Sequence, residues 1–293
     1  MLTGRYFVLL ALVTLGCHGV CAETPEALPM TKEQKQGALF LDALSIPSPG
    51  EVFAALTAEC HPNWVTLVTP ATAPMTSDRT QLALTLGVLA ANGYIAVAAQ
   101  DGQQVKNVGR EMMTVAKALG VSENLMGRGN SLMEFAENSA WDSLSAELEA
   151  TEQEIRTTMI GQKDHHLVTL SSVAAWLRGL EITTQIVLAS DQLKGVDVVR
   201  EPTLARHLAS ELELLPERMN KGGLLAKARQ TLLDSAQQLD SMGATPATQR
   251  AALERVHEET ANLTKEILAS SDAVTPTVAP KMGTTTTPAH LAH

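Results

Sequence analysis

Arg178 and Glu181 are the two charged residues whose positions most favour a chemical or structural role. They stand alone in an otherwise uncharged, largely apolar segment between Leu167 and Ser190. Residues three apart share one face of a helix, and two charges that become buried there require partners. The pattern is compatible with a structural ion pair inside a helical bundle, an exposed helix edge, or a polar pocket between helices. Such a pocket would combine them with other polar residues of the chain: Asn92, Tyr94, Gln103, Lys106 and Asn107.

The sequence contains only weak matches to the residue spacings of metal-binding motifs. Glu254-x-x-His257 matches the spacing by which one helix supplies two ligands to a di-iron centre, but such a centre needs a second copy of the motif. The chain contains no second Glu-x-x-His. His207 and Glu211 are four residues apart without further ligands nearby in the sequence. We therefore predict no metal ion and no cofactor.

Motifs of nucleophilic or nucleotide-dependent catalysis are also missing. Cys60 and His61 are neighbours, and adjacent side chains rarely face each other as a nucleophile and its base must. No Gly-x-Ser-x-Gly or His-Glu-x-x-His occurs, and Gly127-x-Gly129 does not follow a predicted strand. These absences favour a protein that is not an enzyme, although they leave enzymatic activity open.

The first 22 residues have the pattern of a secretory signal peptide. Arg5 supplies a positive charge, residues 6–16 form an apolar run too short for a bilayer, and Val20-Cys21-Ala22 offers small residues at a cleavage site. We predict cleavage after Ala22 and export to the periplasm or the medium. The alternative is a lipoprotein signal, in which Cys17 would be acylated and anchor the chain to a membrane.

The amino-acid composition limits which kinds of partner and which fold class can be expected. The formal net charge is −10, and removal of Arg5 with the signal makes it one unit more negative. An acidic chain without a basic cluster disfavours binding to nucleic acid. Cleavage after Ala22 would also leave Cys60 as the last cysteine, so no intramolecular disulfide is expected. Aromatic residues make up only 3% of the chain while Ala, Leu, Glu and Gln are abundant, which predicts an all-α fold.

Helix signals divide the chain after the signal peptide. Residues 23–45 are predicted to be a linker with a short helix at 33–44, where Leu39, Phe40 and Leu44 share one side. Ser48-Pro49-Gly50-Glu51 reads as a helix start with a capping box. A helical bundle is predicted for 46–219. Within it, Gly127-Arg128-Gly129-Asn130 is expected to interrupt a helix and Asp164 to cap one.

Two helices should form the centre of this bundle. Residues 78–101 and 165–190 are apolar on nearly every side, which is typical of either a membrane span or a central helix. Polar residues and glycines dilute the first segment and its flanks lack aromatic or basic anchors, so we predict a central helix and no transmembrane segment in the mature chain.

The C-terminal part is predicted to be a helical hairpin at 220–270 followed by a disordered Thr- and Pro-rich tail at 271–293. Gly243-Ala244-Thr245-Pro246 forms the expected turn. The second helix carries a narrow seam of coiled-coil type, spaced by three and four: Leu253, Val256, Thr260, Leu263 and Ile267.

Four segments resemble exported, all-helical bacterial proteins that have no known activity. They are Leu86-Gly87-Val88-Leu89-Ala90-Ala91-Asn92-Gly93-Tyr94-Ile95-Ala96-Val97, Gln103-Gln104-Val105-Lys106-Asn107-Val108-Gly109, Gly127-Arg128-Gly129-Asn130-Ser131 and Trp176-Leu177-Arg178-Gly179. The resemblance covers about residues 50–215 and implies export and a helical fold only.

Two functions remain open from the sequence. The first is an exported, non-catalytic helical protein that binds a protein partner, associates with itself or assembles at the cell envelope. The second is a small-ligand-binding or enzymatic bundle that uses a polar pocket near Arg178 and Glu181. Whether those two charges face a cavity or pair with each other distinguishes the two.

Overall fold

The computed structural model describes residues 46, 48–70, 72–121, 125–220 and 222–269. Regular structure in these ranges is helical, without a strand, which confirms the all-α fold class. The α-helices in chain order are α1 (Pro49–Cys60), α2 (Arg79–Ala98), α3 (Gly102–Leu119), α4 (Met126–Glu137), α5 (Trp141–Gly161), α6 (His165–Ala189), α7 (Val196–Val199), α8 (Pro202–Glu213), α9 (Leu224–Asp240) and α10 (Pro246–Leu268). The predicted signal peptide, the helix at 33–44 and the tail at 271–293 lie outside the described residues.

Helix α1 begins where the local sequence predicts. The hydroxyl of Ser48 accepts from the backbone N–H of Glu51 at 3.3 Å, and the Glu51 carboxylate accepts from the backbone N–H of Ser48 at 2.8 Å. Pro49 occupies the first turn, where its missing N–H removes no intrahelical bond. His61 ends the helix in the left-handed conformation, with φ 48°. The predicted capping box is confirmed.

Helices α2 and α6 form the centre of the bundle and share its most extensive contact. They approach closely at Gly87, where a Cβ would overlap the carbonyl oxygen of Ser171. Helix α2 has the length and mean hydropathy, 1.5, of a membrane span, yet 89% of its most apolar window is buried within the bundle. In the described structure it is therefore a central helix.

The hairpin of α9 and α10 packs on the bundle and does not project from it. Thr245 caps α10 by accepting from the backbone N–H of Thr248 at 3.3 Å, and Pro246 stands in the first turn, both as predicted. Helix α10 packs against α6 and α2, and α9 against α8. The seam of α10 is buried in these contacts: Leu253, Val256, Thr260, Leu263 and Ile267.

One local prediction is wrong and a second is confirmed only in the position of the residue. Gly127–Asn130 does not interrupt a helix but lies inside α4, where the guanidinium of Arg128 binds Glu147 at 3.1 Å and Glu154 at 2.5 Å on α5. Asp164 is the N-cap residue of α6, as predicted, but its side chain makes no capping hydrogen bond and instead pairs with Arg79 at 2.5 Å.

Candidate functional site

Arg178 is buried in the middle of α6, with 4% of its surface exposed. Its Nη1 donates to Oε1 of Glu181 at 2.5 Å, and its Nε donates to Oδ1 of Asn92 on α2 at 2.9 Å. Its Nη2 donates to the hydroxyl of Thr69 at 3.3 Å. Each nitrogen of the guanidinium therefore has a protein partner.

The carboxylate of Glu181, a residue that is 7% exposed, is held from both sides. Oε2 accepts from the hydroxyl of Thr264 on α10 at 2.6 Å, while Oε1 accepts from Arg178. His257, also on α10, has its Nδ1 at 3.1 Å from the backbone carbonyl oxygen of Glu181. The pair is thus an internally satisfied network that links α2, α6 and α10.

Tyr94 is separate from this network. Its hydroxyl donates to Oε2 of Glu152 on α5 at 3.2 Å, and Glu152 also binds Arg156 at 3.3 Å. Burial, and then the adjacent Glu152 charge, raises the pKa of Tyr94 above its usual range, and burial raises the pKa of Glu152. This cluster connects α2 to α5 rather than to Arg178.

The three predicted pocket residues of α3 make their contacts within α3 or with α4. Gln103 donates to Asn107 at 3.0 Å, and Asn107 donates to Gln104 at 2.7 Å. Lys106 lies 3.8 Å from Glu137 at the end of α4. Of the seven residues considered from the sequence, the structure unites only Asn92, Arg178 and Glu181.

The other residues considered for catalysis or metal binding are Cys60, Glu254 and His257. The thiol of Cys60 donates to the carbonyl oxygen of Lys194 at 3.2 Å, and burial raises its pKa, which lowers the fraction of reactive thiolate. Glu254 is exposed while His257 contacts the Glu181 backbone. Among the described residues, no group of three or more His, Cys, Asp or Glu is arranged to hold a metal ion.

The other face of α6 borders an apolar groove of about 400 Å³. Its walls come from α1, α6, α7 and the start of α8, and we call it the α6 groove. Most of its lining is apolar, and Thr183 satisfies its own hydroxyl by donating to the carbonyl oxygen of Gly179 at 2.7 Å. The lining residues are Pro49, Glu51, Val52, Ala55, Trp176, Gly179, Leu180, Thr183, Val198, Val199, Glu201 and Leu204.

The charged residues that line the α6 groove are both acidic. Glu51 and Glu201 are exposed at its edge, and the lining contains no lysine, arginine or histidine among the described residues. Cavities of this size that are mostly apolar with a few polar groups are typical of binding sites. The groove therefore suits an apolar group that carries no net negative charge.

Gly179 leaves the α6 groove open. A Cβ at Gly179 would have no neighbour within 4 Å, whereas one at Gly87 would overlap a backbone oxygen. Glycine inside a helix costs about 1 kcal/mol relative to alanine. Close packing therefore requires a glycine at position 87 but not at position 179, where the helix borders the groove.

A second concavity of about 270 Å³ lies between α1, α2 and α5 and includes Tyr94, Trp141 and Asp142 in its lining. It is smaller than the α6 groove, and Gly50, its only glycine, lies where a Cβ would approach the ring of Tyr94 to 2.9 Å. Close packing against Tyr94 already accounts for a glycine at position 50. The α6 groove is therefore the stronger candidate site.

Sequence reasoning missed the α6 groove. In the sequence Gly179 contributes only to the resemblance, although a glycine inside a long apolar helix is a recognisable signal of a packing or functional constraint. The opposing walls come from α1, α7 and α8, whose contact with α6 no local pattern predicts.

The fold and site define an all-α bundle with a buried ion-pair network on one face of α6 and an apolar groove on the other. Comparison with known proteins finds no matching family model, no matching curated protein and no matching solved structure.

Proposed function

We propose that this chain is an exported, non-catalytic helical protein that works by binding a partner, and that the α6 groove receives the apolar face of a short partner helix. The observation that carries the proposal is the open space at Gly179 in an apolar wall. Insertion of an amphipathic helix into such a groove is a common mode of recognition. The acidic edge at Glu51 and Glu201 favours a neutral or basic partner segment.

A binding role is supported over catalysis by the state of the polar residues. Each guanidinium nitrogen of Arg178 and each carboxylate oxygen of Glu181 has a protein partner, and neither residue lines the α6 groove or the concavity beside Tyr94. A group that is fully engaged in structural bonds is poorly placed to bind or activate a substrate. The alternative of a ligand-binding or enzymatic pocket near these two charges therefore receives no support from the geometry.

Export is supported by the N-terminal sequence pattern alone. Mass spectrometry of the native protein tests it directly. A chain beginning at Glu23 supports cleavage after Ala22, whereas a lipid-modified Cys17 would instead show a membrane-anchored lipoprotein.

The groove is tested with the neutral fluorescent probe N-phenyl-1-naphthylamine on the mature chain. Gly179→Leu should place a side chain in the groove, because an added Cβ at this position meets no atom within 4 Å. Gly109→Leu on α3 is the matched control, since its Cβ also has open space and lies away from the groove.

We expect saturable binding to the parent and the control, and at least a tenfold weaker affinity for Gly179→Leu, which corresponds to about 1.4 kcal/mol. Equal affinities of Gly179→Leu and the parent would contradict the proposal, because the probe would then bind elsewhere.

A further inference from the structure

The concavity between α1, α2 and α5, which we call the α5 concavity, brings aromatic side chains together in a chain that has few of them. Phe53, Tyr94 and Trp141 line it, although the whole sequence contains only four phenylalanines, two tyrosines and three tryptophans. Phe53 and Tyr94 are buried and form its floor, whereas Trp141, the first residue of α5, is half-buried at its side. Its volume of about 270 Å³ suits a molecule smaller than the usual drug-sized ligand.

Two of these rings are held in place by their neighbours. The Trp141 ring lies beside the start of α3, where a Cβ on Gly102 would be 3.7 Å from its Cη2 atom. The hydroxyl of Tyr94 donates to Oε2 of Glu152 at 3.2 Å, and donation to a carboxylate increases the electron density of the ring. Aromatic rings attract cations through their electron-rich faces, and tryptophan does so most strongly.

The charge of the α5 concavity is negative. Asp142 is exposed at its rim, and the described lining contains no lysine, arginine or histidine. The hydroxyl of Thr57 donates to the carbonyl oxygen of Phe53 at 2.7 Å, and the hydroxyl of Tyr94 donates to Glu152, so neither can donate to an anion. The lining therefore favours a cationic ligand over an anionic one.

We propose that the α5 concavity binds a small free quaternary ammonium cation, with Trp141 against its methyl groups and Asp142 balancing its charge. Such a cation has no N–H group to donate, so it requires no hydrogen-bond acceptor from an apolar and aromatic floor. A primary ammonium carries three donors and would leave some of them without a partner there. The inference does not depend on the α6 groove, because no residue lines both sites.

Isothermal titration calorimetry of the mature chain with choline chloride tests the site. The matched ligand control is 3,3-dimethylbutan-1-ol, in which carbon replaces the nitrogen of choline, so that the shape is kept and the charge is lost. Choline should bind saturably and about tenfold more tightly than the alcohol. Equal affinities of the two ligands, or no saturable binding of choline, would overturn the proposal.

Substitutions locate the site on the chain. Trp141→Leu should weaken choline binding about tenfold, whereas Trp141→Phe keeps a ring and should retain part of the affinity. Asp142→Asn should weaken binding about threefold at low salt. Asp197→Asn is the matched control, because Asp197 is also exposed in the first turn of a helix, α7, and lies outside the lining.

Circular dichroism shows whether each variant is folded. Parental affinity of a folded Trp141→Leu chain would overturn the proposal, because choline would then bind elsewhere. Equal weakening by Asp142→Asn and Asp197→Asn would contradict the role of the rim carboxylate. The comparison of choline with its neutral analogue uses the parent chain, so it remains decisive where a variant does not fold.

Phosphocholine distinguishes a free cation from a lipid headgroup that carries the same ammonium group. Its phosphate would approach the acidic rim at Asp142, so phosphocholine should bind more weakly than choline. Equal or tighter binding of phosphocholine would overturn the assignment to a free cation and indicate a lipid headgroup instead.

Discussion

At the scale of single residues, burial decides what an ion pair contributes. Arg178–Glu181 and Arg206–Asp240 have nearly the same separation, 2.5 and 2.6 Å, but the side chains of the first pair are 5% and 9% exposed and those of the second 48% and 61%. Water screens the exposed pair, whereas removal of one buried partner leaves an uncompensated charge. The two pairs form a natural comparison.

Arg178→Ala should therefore destabilise the protein by about 3–5 kcal/mol, because it leaves Glu181 buried without its cation. Arg206→Ala, the matched control, should change stability by no more than about 1 kcal/mol. Urea unfolding measures both. Arg178→Ala combined with Glu181→Ala should recover part of the loss, and a midpoint of Arg178→Ala equal to that of the parent would mean that the side chain is solvated.

His166, at the start of α6, gives a second residue-level expectation. Burial, then Arg218 and His165, lower its pKa from the ordinary value, and Asp164 only partly opposes them. The folded state thus favours the neutral ring, so the unfolded chain binds more protons as the pH falls. The corresponding stability is present above about pH 6.5 and is lost at lower pH.

His166→Gln should accordingly lose less stability than the parent between about pH 7.5 and about pH 5.5. Urea midpoints of the two chains at both pH values measure this difference. Parallel losses in parent and variant would show that His166 does not contribute to acid destabilisation.

At the scale of elements, the two long central helices each contain a glycine, for different reasons. Gly87 on α2 allows the backbone of α6 to approach, with Ser171 in contact and Ala175 N only 2.8 Å from an added Cβ. Gly179 on α6 faces the open groove. One glycine sets the distance between two helices, and the other borders the open space of the α6 groove.

The same substitution should therefore have opposite effects at the two positions. Gly87→Ala should destabilise by roughly 1–3 kcal/mol because α2 and α6 must move apart. Gly179→Ala should stabilise by about 1 kcal/mol because alanine is the better helix former and meets no clash. Urea unfolding tests both, and destabilisation by Gly179→Ala would show that the groove wall tolerates no added atom.

At the scale of the whole molecule, the hairpin is joined to the bundle by polar contacts as well as by its apolar seam. The amide of Gln81 on α2 donates to the carbonyl oxygens of Ile267 at 3.1 Å and Ala269 at 2.8 Å. Thr264 reaches Glu181 in the buried network. These bonds satisfy carbonyls at the end of α10 and tie its last turns to both central helices.

We therefore expect residues 46–269 to unfold in one transition. Trp64, Trp141 and Trp176 all precede the hairpin, so their fluorescence reports the bundle, whereas far-ultraviolet circular dichroism reports every helix. Coincident urea transitions are the expected result. A loss of helical signal before the fluorescence change would mean that the hairpin unfolds separately.

The sequence by itself determined the features that depend on neighbours along the chain. The fold class followed from composition, the start of α1 from Ser48, Pro49 and Glu51, and the central position of α2 from apolar residues on all its sides. Helix propensity, capping and apolar periodicity act within a few residues, so they are legible without a structure.

Only the tertiary structure decided which residues meet. Arg178 contacts Asn92 and Glu181, and Glu181 in turn contacts Thr264. Tyr94 and Lys106 instead contact residues of other helices. The α6 groove likewise arises from helices distant in sequence, and Arg128, inside α4, binds two glutamates of α5. Side-chain direction and helix packing depend on residues that are distant in the sequence. Sequence spacing therefore indicates which polar residues are candidates but does not predict which of them meet in the fold.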